Sequence, residues 1–93
     1  MVVGVLQVEP SIPGADSLKA KRMVLRSLKD RIRKNFNVSV AEVEDNDRWQ
    51  SAVLAVAMVS NDRRFANQVL SKTMDFIETS RDLVVEDYQL GFY

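Results

Sequence analysis

The sequence predicts an α+β fold, a ferredoxin-like βαββαβ sandwich with two helices on one face of a four-stranded antiparallel sheet. Three observations lead there. Two segments, about 18–35 and 62–80, carry apolar residues at helical spacing, and four segments rich in Val, Leu and Ile surround them in the order strand, helix, strand, strand, helix, strand. The right-handed rule for strand–helix–strand crossovers then sends both helices to the same side of the sheet. A chain of 93 residues with three glycines and two prolines has room for one domain over 1–93 and little for linkers.

Each element has a local reason. "VVGVLQVEPSI" reads as strand one, and "PGAD" as a turn in which Pro13 fixes its own φ and Gly14 tolerates a positive one. Ser17 caps a helix from about Leu18 to Asn35, with Asp16 close to its positive end. Leu18, Leu25, Leu28, Ile32 and Phe36 share one narrow arc of that helix, with Val24 at its edge. Lys21 points into the same arc. Its simplest reading is a packed stem whose ammonium reaches water past the sheet edge, and the alternative is a cation facing a ligand between helix and sheet.

"VSVAEVED" is strand two and "DNDR" a turn. "QSAVLAVAMVS" is too apolar for a strand with one wet face, which places it centrally and covered on both sides. Ser60 or Asn61 caps the second helix, which runs from about Asp62 to Ser80 and buries Phe65, Val69, Phe76 and Leu70 or Ile77. "DLVVEDYQLGFY" closes the chain as strand four. Trp49, at the start of strand three, is expected to cover the end of the core, with base stacking as its alternative role.

The inner strands are apolar on both faces. Val53, Ala55, Ala57 and Val59 alternate with Leu54, Val56 and Met58, while Val3 and Val5 oppose Val2, Leu6 and Val8. Only one face has helices to meet it, so a homodimer through the other face or through a strand edge is the expectation. The alternative is that long side chains from the strand ends fold over the gap.

Composition removes most chemistry. The chain has no cysteine and no histidine, which excludes disulfides, thiolate metal sites and the usual neutral-pH general base. Gly4, Gly14 and Gly91 are too scattered for a phosphate loop. Glu42, Glu44, Asp45 and Asp47 match no calcium loop and read as a polar hairpin rim. No catalytic residue, metal or cofactor is expected, and the protein reads as a non-enzyme. "VVGVLQV" is too short to span a bilayer and lacks the basic lead of a signal peptide, so a cytoplasmic protein without membrane association is expected.

What remains is charge. Residues 19–34 hold Lys19, Lys21, Arg22, Arg26, Lys29, Arg31, Arg33 and Lys34 against Asp30, a charge of +7 in a chain whose total is zero. Arg22, Arg26, Lys29 and Arg33 follow i, i+4, i+7, i+11 spacing, a single stripe beside the apolar arc with Lys19 nearby. Side chains one helical turn apart can reach successive phosphates, and a merely solubilising face would more often interleave glutamates. The inner strands carry no aromatic residue, so RNA recognition by base stacking on the sheet is excluded and contact must come from the helix.

"SLKAKR", "FNVSVAEV" and "D.WQ.A.L.VA.VSND", with their spacing, make the whole chain resemble the YlxP-like family of small bacterial proteins, a domain of unknown function. The resemblance implies a ferredoxin-like fold. It also implies a link to translation, because genes of that family often neighbour those for translation initiation and ribosome maturation factors. Many relatives have glutamate where this chain has Ala20, which implies a missing capping-box acid and a still more basic helix.

The expectation is therefore a cytoplasmic accessory protein of translation that binds structured RNA or a ribosomal subunit through Lys19, Arg22, Arg26, Lys29 and Arg33. Two alternatives stand beside it. One is an ACT-like regulatory module whose small-molecule ligand sits at a dimer interface near "PSIPGADS". The other is an interaction module whose basic helix docks an acidic protein.

Overall fold

The computed structural model describes residues 1–93. The chain runs β1 (Val2–Ser11), α1 (Leu18–Asn35), β2 (Ser39–Glu44), β3 (Val53–Ser60), α2 (Arg63–Glu78) and β4 (Val84–Phe92). The four strands form one sheet in the order β2-β3-β1-β4, with β1 and β3 inside and every neighbouring pair antiparallel. This is the predicted ferredoxin-like sandwich. No helix is long and apolar enough to cross a membrane.

The register shows why both inner strands had to be apolar. Leu6 lies opposite Val56 and Val8 opposite Leu54, and these four side chains point under the helices. They meet Leu25, Leu28 and Ile32 of α1 and Ala66, Leu70, Met74 and Ile77 of α2, all buried in one core. Each large aliphatic side chain so buried stabilises the fold by roughly 1.5–3 kcal/mol. Gly4 lies beneath α2, where a Cβ would stand 2.7 Å from Leu70 Cδ1 and 3.6 Å from Ala66 Cβ.

The other face carries the expected second apolar set. Val3 pairs with Val59 and Val5 with Ala57, continued sideways by Ala55 and Ala41. No element of the chain covers these residues, and Val59 is 65% exposed. β3 is thus central as expected, but beyond Val53, which is buried at its start, it is covered on one face only, because the chain has just two helices and the crossover rule puts both on the same side.

Helix ends follow the capping chemistry. Ser17 Oγ accepts the Ala20 N–H at 3.0 Å, and α1 has the predicted bounds. α2 starts one residue later than expected because its cap is Asp62, whose Oδ1 accepts the N–H groups of Arg64 and Phe65 at 2.9 and 3.4 Å. Ser60 Oγ instead accepts the N–H of Asp62. The buried stripe of α2 is Ala66, Leu70, Thr73, Met74 and Ile77, which leaves Phe65 off the stripe and exposed rather than buried. Val69 and Phe76 pack at its margin, where Phe76 meets Phe36 edge to face at 5.6 Å.

Candidate functional site

α1 turns Lys21, Leu25, Leu28 and Ile32 toward the sheet. Arg22, Arg26, Lys29 and Arg33 each follow one of these by a single residue, so they occupy one flank. Arg33 identifies which flank, because its Nη2 donates to the Val40 carbonyl of β2 at 3.0 Å. The opposite flank faces α2, where the Arg31 guanidinium lies 5.9 Å from the centre of the Phe76 ring. The stripe therefore runs along the outer side of the molecule, beside edge strand β2.

Lys19, Arg22, Arg26 and Arg33 are exposed, and Lys29 is half-buried. The chain makes three ion pairs within 4 Å, and within the stripe only Arg33 takes part, 3.6 Å from Asp30 with both side chains at least half exposed. A pair so exposed is worth between zero and about 1 kcal/mol and yields readily to a competing anion. Lys19, Arg22, Arg26 and Lys29 have no carboxylate partner. Arg33 differs from its neighbours in a way its spacing did not signal: it occupies a carbonyl of an edge strand, the kind of contact that discourages strand addition.

Lys21 departs from the placement expected of it. Its ammonium does not reach water. The side chain is completely buried, and Nζ donates to the carbonyls of Asp45 at 2.7 Å and Ser51 at 3.0 Å. Glu42 Oε2 lies 2.8 Å away as an ion pair that departs from hydrogen-bond alignment, and this oxygen has no other partner. Three acceptors thus surround a group with three N–H donors. The sheet edge offers no exit because the β2–β3 hairpin folds across it, with Asp45 at φ 60° helping to turn the chain. Glu42 is accordingly a buried partner and not part of an acidic rim. Glu44 and Asp47 remain exposed, and no group of three acids is arranged to hold a metal ion.

The hairpin is also tied to the β1–α1 loop. Ile12 N–H donates to the Gln50 carbonyl at 2.8 Å, and Gln50 Nε2 donates to the carbonyls of Ala15 and Pro13 at 3.2 and 3.4 Å. Buried Ile12, Ala15 and Ala52 close this end of the core. Trp49 does not cover it: its neighbours fill the space and leave the indole 54% exposed. Nor does any glycine adopt positive φ, so the turn at Gly14 forms without the left-handed conformation expected there.

Comparisons with known proteins bear on the family and the fold. The family model described as "Protein of unknown function (DUF503)" matches residues 3–90. "Uncharacterized protein YlxP" of Bacillus subtilis (strain 168) is 35% identical over 78 residues, which cover 84% of this chain and 85% of that protein. The solution NMR structure of a de novo designed protein with a ferredoxin fold is similar over 100% of this chain and 84% of its own, with a TM-score of 0.54 and 13% identity. That likeness concerns the fold alone. Matched along nearly its whole length, the chain belongs to the DUF503 family, the YlxP-like proteins of unknown function.

Proposed function

We propose that this protein is a non-enzymatic accessory factor that binds structured RNA through the α1 flank, with ribosomal RNA as the first candidate. One observation carries the reading: Lys19, Arg22, Arg26 and Lys29 lie along one outer flank without a carboxylate partner, in a chain of zero net charge. Side chains at the same helical angle recur about every 5.4 Å, so they meet one phosphate ridge together. Contacts of this kind read charge and shape and leave base identity unread. The acidic remainder of the surface repels the same ligand, which restricts the orientation of approach.

Charge reversal tests the reading. Labelled ribosomal RNA fragments are titrated by fluorescence anisotropy with the unaltered chain and with the Arg22→Glu, Arg26→Glu double variant. The expected result is a loss of at least about tenfold in affinity at low salt, because two phosphate contacts are replaced by repulsions. Equal affinity would refute the reading.

The open sheet face supports a second part of the proposal, a homodimer. Glu9 and Asp87 lie opposite each other toward one end of that face, so two copies would meet through the Val3, Val5, Ala57 and Val59 end. This leaves the α1 flank free, on the other side of the sheet.

A further inference from the structure

We propose that the free edge of β4 docks an extended segment of a partner protein as an added antiparallel strand, with the side-chain pattern acid-x-aliphatic-x-base. Val3 and Tyr93 exchange both of their backbone hydrogen bonds at 2.9 Å. Such pairs alternate along an antiparallel ladder, so the register gives the same exchange to Val5 with Gly91, Gln7 with Gln89 and Glu9 with Asp87. The N–H and C=O groups of Tyr88, Leu90 and Phe92 therefore point away from β1, along the outer edge of the sheet. Tyr88 is closed to a partner because Asp87 Oδ1 accepts its N–H at 2.8 Å. No other group of the chain takes up the outward N–H and C=O of Leu90 and Phe92. The opposite edge is obstructed: Arg33 occupies the Val40 carbonyl, and the β2 register slips after Glu42. Leu90 and Phe92 thus form the open strip, two donors and two acceptors spaced for one added strand.

The surroundings of the strip define its occupant. Residues directly opposite on antiparallel strands share a face, so partner residues opposite Phe92, Leu90 and Tyr88 lie on the helix side, over α2. A groove of about 110 Å³ waits there, floored by Leu6, Leu70 and Met74 and walled by Leu90. It is smaller than the roughly 300–1,000 Å³ of small-molecule sites and suits a single aliphatic side chain. Asp75 and Glu78 form its rim. Beside Phe92 stand Arg64 and Arg63, whose guanidinium lies 4.8 Å from the centre of the ring. None of these four charges has an ion-pair partner within 4 Å. Charge therefore changes sign along the edge. An antiparallel strand, entering at Phe92 and leaving at Tyr88, is matched by an acid first, an aliphatic residue over the groove and a base last. The site lies across the sheet from β2 and the α1 flank, and it stands apart from the RNA reading.

Two peptides of equal composition test the assignment on the isotope-labelled full-length chain: acetyl-Thr-Glu-Thr-Val-Thr-Lys-Thr-amide and its reverse, in which Glu and Lys exchange places. The first should produce saturable NMR shifts at the amides of Leu90 and Phe92 and slow their hydrogen exchange. The amides of Gln89 and Gly91, already bonded to β1, should keep their exchange rates. The reverse peptide should bind about tenfold more weakly, because two exposed ion pairs become two repulsions. Arg63→Glu with Arg64→Glu should weaken the first peptide by a similar factor and favour one with Lys in place of its Glu. Absence of saturable shifts up to about 10 mM, a concentration that reports even millimolar affinity, would overturn the assignment. So would equal binding of the two peptides, or shifts at Leu90 and Phe92 that follow protein concentration without peptide, the mark of a second copy on the edge.

Discussion

Replacing Lys21 by methionine probes the least visible part of the structure. Methionine keeps a stem of similar length, so packing against Leu25 and Leu28 is largely retained. What disappears is the ammonium that lies 2.7–3.0 Å from Glu42 Oε2 and the carbonyls of Asp45 and Ser51. The side chain of Glu42 is 14% exposed, so its charge is left without a partner in a site that water barely reaches. Removing one member of a buried pair costs about 3–5 kcal/mol, a large share of the roughly 5–15 kcal/mol that stabilises a domain. Glu42→Gln is milder, at about 1.5–3 kcal/mol, because the ammonium keeps both carbonyls and a neutral acceptor. The Lys21→Met, Glu42→Leu double variant should lose less than the sum of the single changes, since neither charge is stranded. Urea unfolding followed by far-ultraviolet circular dichroism reads all three, with a constant slope as the check on two-state behaviour. A Lys21→Met loss below about 1 kcal/mol, the value for an exposed pair, would refute the buried clamp.

Other consequences follow from single contacts. Gly4→Ala should destabilise by about 0.5–1.5 kcal/mol in the same assay, because the added methyl meets Leu70 Cδ1, the tip of a flexible side chain, at 2.7 Å and turns it from its rotamer. Asp62→Ala removes the acceptor of two N–H groups at the start of α2 and should cost about 0.5–2 kcal/mol. Arg22→Glu with Arg26→Glu should leave stability within about 1 kcal/mol of the parent, since neither side chain makes an ion pair, so any loss of RNA binding is a loss of contact and not of fold. If two copies meet through the open sheet face, sedimentation equilibrium should show a dimer that Val59→Lys converts to a monomer. A monomer before the change would remove that part of the proposal.

The fold was legible because its signals are local or repeat along an element. The arc of Leu25, Leu28 and Ile32 gave α1, and alternation in β3 separated Leu54, Val56 and Met58 from Val53, Ala55, Ala57 and Val59, while only the packed structure shows that the first set faces the helices. The errors fall where a neighbour distant in sequence decides. Lys21 was read from its own helix, whereas its surroundings are set by a hairpin 24–30 residues away. The clue was nonetheless present. Glu42 lies two residues after Val40, so alternation turns both to the helix side, and a carboxylate on that side calls for a cation from the arc above. Phe65 and Trp49 failed for a related reason. Large apolar residues are expected inside, but helical phase took the first off the buried stripe, and smaller residues had already filled the space beneath the second. The stripe itself was legible from spacing alone, while the engagement of Arg33 with β2 required the packed sheet edge.

The salt dependence of RNA binding tests the central claim most directly. Four cations from the α1 flank that neutralise four phosphates give a slope of log affinity against log salt of about −3 to −4. The Arg22→Glu, Arg26→Glu variant should flatten that slope by about half as well as weaken binding. A slope near zero, or one that survives the charge reversal unchanged, would contradict the account.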